Sequence, residues 1–242
     1  MILRRVTEHV RNQEWTAIAI DFVIVVVGVF VGIQVSNWNG AKVEAAQLDE
    51  QLRSLRLEME DNRVRIAEHR AAIQSQYDDA AALRASFAAD TPDPDPDQTD
   101  ARLMNVYRIV TFVPERNAYQ DLADTGGLRR LAGTPLRETI ASWDATLAAV
   151  QRMNTDALMH RSASMPDLTS RLAIGAMLEH FPSPQGDVPR SRFRNDPQAL
   201  AQDRALDNYL AVRLGVNGAT LLYLDQLEQE TNALIDALRA HD

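Results

Sequence analysis

Residues 17–36 read Ala-Ile-Ala-Ile-Asp-Phe-Val-Ile-Val-Val-Val-Gly-Val-Phe-Val-Gly-Ile-Gln-Val-Ser, apolar on every face and broken by one charge, Asp21. A helix that crosses a bilayer needs about 20 predominantly apolar residues, and this run supplies them. Trp15 and Trp38 bracket it, where amphipathic rings anchor a span at the headgroups. A secretory signal has a shorter apolar core, about 7–15 residues, followed by a small-residue cleavage site. The Ser36-Asn37-Trp38-Asn39 that follows here is no such site. The expected reading is an uncleaved, single-pass anchor, with residues 1–16 as a short N-terminal tail.

Removing the anchor from 242 residues leaves about 200, enough for a helical domain. Residues 1–36 hold three basic and three acidic side chains, so the remainder carries 22 against 31 and all of the net −9. An acidic domain repels nucleic acid and anionic headgroups, and no basic stripe opposes this. Cysteine is absent, which excludes disulfides and thiolate metal sites. Arg4, Arg5 and Arg11 precede the span and only Lys42 closely follows it. The positive-inside bias therefore predicts a cytoplasmic N-terminus and an exported, periplasmic C-terminal domain at a bacterial inner membrane.

Residues 42–89 contain neither proline nor glycine. Leu48, Leu52, Leu55, Met59, Ile66, Ile73, Ala80, Leu83 and Phe87 fall on alternating steps of four and three, a heptad seam. Asn62, His69 and Gln76 occupy the same seam at intervals of seven. Two readings stand for these three: a bundle helix facing a wet groove, or buried polar groups that fix register and partner number. The pattern predicts a coiled-coil-like helix over residues 37–89, with residues 42–89 about 70 Å long.

Thr91-Pro-Asp-Pro-Asp-Pro-Asp97 cannot continue a helix, so residues 90–97 read as an extended linker. Its aspartates lack the glycine and glutamate of a calcium loop. Residues 98–242 read as a helical bundle. A first helix ends near Phe112-Val-Pro114, and a second, over residues 117–124, stops at Thr125-Gly126-Gly127. Thr134-Pro135 starts a helix reaching about His160, and Met165-Pro166-Asp167 starts another. Residues 181–194 are a loop, and Asp196-Pro197 opens the last helix, in which Gly215 and Gly218 weaken continuity. No strand alternation occurs, so the expected class is all-α.

Three segments resemble a bacterial family of single-pass membrane proteins known as a domain of unknown function. Residues 19–39 resemble its acidic-start span with a Gln-x-Asn-Asn-Trp-Asn ending; this chain has Ile20-Asp21 for the usual Gly-Glu, and Ser36 for Asn. Residues 118–131 with Leu136-Arg137 are similar to its Tyr-x-x-Leu-x-x-Ser-Gly…Leu-Arg stretch, and Phe193-Arg-Asn195 to the start of its last helix. The resemblance implies topology and architecture and no activity.

His9, His69, His160, His180 and His241 are scattered, and no pair has metal-ligand helical spacing. No nucleophile elbow, P-loop or dinucleotide fingerprint is present, and the carboxylate pair Asp78-Asp79 reads as a solvated helix face. We therefore expect no catalytic residue, no metal and no cofactor. The expected role is a non-enzymatic accessory or scaffold protein, held in the bilayer and binding other membrane proteins or copies of itself, with no nucleic acid. The rival is an energy-coupling subunit, because Asp21 in a lone span resembles the proton-carrying aspartate of stator subunits. A ligand-binding sensory module comes third. Within the span, Asp21, Val25, Gly28, Gly32 and Ser36 share one face, and Gly28 and Gly32 form a Gly-x-x-x-Gly pair suited to helix packing.

Overall fold

A computed structural model describes residues 15–89, 95–181 and 188–241, with the side chains of residues 15–19 excepted. The arginines of the N-terminal tail, the indole of Trp15, residues 90–94 of the proline-aspartate linker and residues 182–187 lie outside the described residues. Among the described residues the chain is all helix and irregular segment, with no strand. It divides into two compact units, Met1–Gln51 and Leu52–Asp242.

Helix α1, Trp15–Phe87, runs 73 residues. No proline interrupts it, and its last glycine is Gly40. In the first unit, every residue from 20 to 47 is exposed. This stretch gives the described chain its one helix long and apolar enough to cross a membrane.

The second unit is a bundle. Its long elements are residues 52–87 of α1, helix α5 (Pro135–Arg171) and helix α8 (Arg204–Arg239). Pairs Glu60–Arg239, Gln76–Arg213 and Arg84–Asp207 show that α8 runs antiparallel to α1. Ser142–Glu230 and Gln226–Thr146 give the same sense against α5. The heptad seam is the buried face: Leu52, Leu55, Met59, Ile66, Ile73, Ala80 and Leu83 all lie in the core. Trp143 and Leu147 of α5 and Leu224 and Leu227 of α8 are equally buried. Trp143 Nε1 donates to Thr231 Oγ1 at 3.2 Å, so the largest core side chain also has its polar atom satisfied.

Short helices close the two ends of this frame: α2 (Pro96–Tyr107), α3 (Asn117–Asp124), α4 (Gly127–Arg130), α6 (Ile174–Leu178) and α7 (Pro197–Ala201). The Thr125-Gly126 stop is as the sequence predicts, with Gly126 at φ +80°.

Four boundaries differ from expectation. Helix α2 takes Pro96 and Asp97 into its first turn, because Asp95 accepts from Asp97 N and caps it. It ends at Tyr107 rather than near Phe112, since Arg108 turns to extended dihedrals and residues 109–116 are irregular. Helix α5 continues through Pro166, where a new helix was expected. Proline there removes one intrahelical bond, but Leu168 and Leu172 beyond it are buried with Tyr107 and Leu210, and that packing carries the helix on. The last long helix starts at Arg204, capped by Asp203; the expected start at Asp196-Pro197 opens only the one-turn α7. Helix α8 then passes through Gly215 and Gly218 without a break.

Candidate functional site

Asn62 and Gln76 of the polar seam bond the main chain of residues 108–115, and Gln76 also accepts from Arg213 of α8. Asn62 Nδ2 donates to Glu115 O at 2.8 Å, and Glu115 N donates to Asn62 Oδ1 at 2.8 Å. Two turns on, the His69 ring packs on Phe112 with centroids 5.5 Å apart. Two further turns on, Gln76 Nε2 donates to Arg108 O at 2.8 Å. The spacing has a geometric cause. Seven helical residues rise about 10.5 Å, and three to four extended residues cover the same distance. The steps from 62 to 69 to 76 on the helix therefore match the steps from 115 to 112 to 108 on the extended chain. Arg65 pairs with Glu115 beside this contact.

Glu58, one turn before Asn62, extends the same function. Its carboxylate accepts from Ala118 N at 2.6 Å and Tyr119 N at 3.1 Å. These are orphan donors of the first turn of α3, whose own N-cap Arg116 offers no side-chain bond. A residue some sixty positions away supplies the cap. Sequence reasoning missed Glu58 because nothing local distinguishes it from its acidic neighbours.

A second buried polar group lies where α1, α5 and α8 meet. Arg213, 3 % exposed, donates Nη2 to Gln76 Oε1 at 3.0 Å. Arg161 lies 4.8 Å from the Tyr107 ring, and His160 stacks on Tyr209 at 5.8 Å. Burial holds the Arg213 guanidinium below its ordinary value, and Arg161 adds to the effect. Burial raises the Tyr209 phenol and lowers His160 and His69. Arg213 Nε and Tyr209 Oη are buried without a hydrogen-bond partner.

Clefts open at several places on this unit, and two of them reach a buried polar side chain. One, of about 300 Å³, is lined by Arg65, Glu68, His69 and residues 110–113. The other, of about 800 Å³, includes Leu172, Ile174, Phe193 and Asn195. Asn195 is buried and donates to Asp100 Oδ1 at 2.6 Å, while Ala173 N donates to its Oδ1 at 2.7 Å. At the rim, Arg171 pairs with Asp203 at 2.9 Å and Arg194 with Glu179 at 2.7 Å, committing both cations to carboxylates. Asp79, half of the carboxylate pair on α1, accepts from Asn105 Nδ2 at 2.6 Å. No group of three metal-ligating side chains occurs among the described residues.

In the first unit, Asp21, Val25, Gly28, Gly32 and Ser36 are exposed along one face. A Cβ added at Gly28 or Gly32 would meet nothing within 4 Å. Trp38 is 63 % exposed, with Lys42 Nζ 3.8 Å from its ring centroid.

Comparison of the chain with protein-family models, curated proteins and solved structures returned no match.

Proposed function

We propose that this chain is a non-enzymatic accessory or scaffold protein, tethered to a bacterial inner membrane by residues 17–36 and presenting a helical domain to partner proteins. The observation that carries the reading is the exposure of a whole apolar helix stretch, residues 20–35, continuous with a helix whose later part is deeply built into a bundle. Exposed on all sides, such a stretch is stable only in lipid. The interior of the domain supports the same role. Several of its buried polar groups fix the chain itself: Asn62 and Gln76 bond residues 108–115, Glu58 caps α3, and Asn195 bonds Asp100.

On this reading the N-terminus is cytoplasmic and the domain periplasmic, as the arginines before the span suggest. The membership suggested by the three resembling segments fits this topology. Two of them hold structural positions: Leu122 and Asn195 are buried. An energy-coupling role would rest on Asp21 alone, and the all-α domain favours a scaffold over it. Purification in mild detergent with identification of co-purifying membrane proteins tests the proposal. Specific partners that are lost when residues 43–241 are deleted support it; small-molecule turnover by the purified protein would replace it with an enzyme.

A further inference from the structure

Among the described residues Arg213 is the one arginine in the core, and no carboxylate pairs with it. Elsewhere in the unit exposed arginines sit on acids, Arg84 on Asp207 at 2.8 Å and Arg171 on Asp203 at 2.9 Å. The core carboxylates are committed away from Arg213: Glu58 to Ala118 N and Tyr119 N, and Asp100 to Asn195. A guanidinium cannot shed its proton to escape burial, and a buried charge is ordinarily paired. Arg213 instead meets the neutral Gln76 Oε1, and its Nε has no hydrogen-bond partner among the described residues. The charged group beside it is a second cation, Arg161, which lies over the Tyr107 ring.

The other unpartnered atoms around this pair can all donate. Tyr209, one turn before Arg213 on α8, is buried, and its hydroxyl has no hydrogen-bond partner among the described residues. The His160 ring stacks on Tyr209, and His160 Nδ1 and Arg161 Nε are unpartnered in the same sense. Burial keeps the Tyr209 phenol protonated, so its hydrogen is available. Donors gathered around positive charge are the complement of an anion.

We infer that Arg213 and Tyr209, with Arg161 beside them, bind a small anion inside the bundle, either an inorganic ion or a compact carboxylate. Water would satisfy the donors and leave the guanidinium charge uncompensated, whereas an anion does both. The donor atoms are closed off from solvent, which limits the ligand to a compact one. Gln76, His160 with Arg161, and Tyr209 with Arg213 come from α1, α5 and α8, so the anion would tie the long helices together at one level. This adds a ligand to the accessory role above and depends neither on the anchor nor on a partner protein.

Melting of the full chain in detergent tests the site, because a ligand that binds only the folded state raises the midpoint as its concentration rises. The reference buffer carries a bulky sulfonate as its anion, and chloride, formate and phosphate are titrated separately at constant ionic strength. At least one of them should raise the melting temperature saturably. Chloride or phosphate would mark an inorganic ligand, and formate a carboxylate. Arg213→Met should abolish the rise. Tyr209→Phe, which removes only the hydroxyl, should increase the half-saturating concentration about tenfold, the effect of one hydrogen bond to a charged group. Arg84→Met, at an exposed ion pair, should leave it unchanged. No saturable rise with any of the three anions, or a rise that survives Arg213→Met, overturns the site. If Arg213→Met does not fold, an unchanged half-saturating concentration in Tyr209→Phe overturns it instead.

Discussion

Two stretches of helix α1 obey the same backbone geometry and opposite side-chain rules. Residues 20–35 are apolar on every face and wholly exposed; residues 52–83 are apolar along one narrow seam, and that seam is buried. The first stretch has no direction to its hydrophobicity, and it is long and apolar enough to cross a membrane. The second concentrates its apolar residues at a 3.5-residue period and leaves charge elsewhere, so a bundle in water satisfies it. Polar residues differ in the same way. Asp21 stands exposed in the apolar stretch, whereas Asn62 and Gln76 sit in the seam with their amides hydrogen-bonded.

The contrast breaks most severely if a charge enters the seam. Leu55→Asp should cost about 4 kcal/mol, since Leu55 is fully buried. Chemical denaturation of the domain lacking the span measures this, and a loss below about 1 kcal/mol would deny that the seam is core. Asn62→Ala should come next, at about 1–2 kcal/mol, because Glu115 loses partners for both its N–H and its C=O. Proteolysis should then cut first in residues 108–116.

His69 sharpens the contrast through pH. Burial depresses its pKa, so the unfolded state binds the proton more readily. The stability is present above the ordinary histidine value near 6.5 and is lost as pH falls from there toward the folded value. Burial lowers His160 as well, so His69→Leu should reduce, without abolishing, the fall in melting temperature between pH 7 and pH 5. An unchanged slope would mean that His69 carries none of it. The smallest effect belongs to the outward face of the same helix. Leu57→Asp should change stability by no more than about 0.5 kcal/mol, because the side chain is already in water.

The sequence makes the period of the seam legible because a heptad pattern depends only on neighbours three and four residues away. The same locality makes the caps at Thr134 and the stop at Gly126 readable. Where Asn62 and Gln76 send their amides is not readable, since the partner is chain 32 to 53 residues distant. One signal for that partner is present in Ile109-Val-Thr-Phe-Val113 before Pro114, a β-type composition inside an otherwise helical chain. Glu58 and Arg213 carry no such signal. Their burial follows from how α3 and α8 dock, which no local pattern encodes.

The central claim is that one helix serves two solvents, and membrane flotation tests it most directly. The full chain should float with vesicles after an alkaline wash and require detergent for release. A chain beginning at Val43 should remain in the aqueous fraction with its helical content and cooperative melting intact. Recovery of the full chain in the aqueous fraction without detergent would contradict the account.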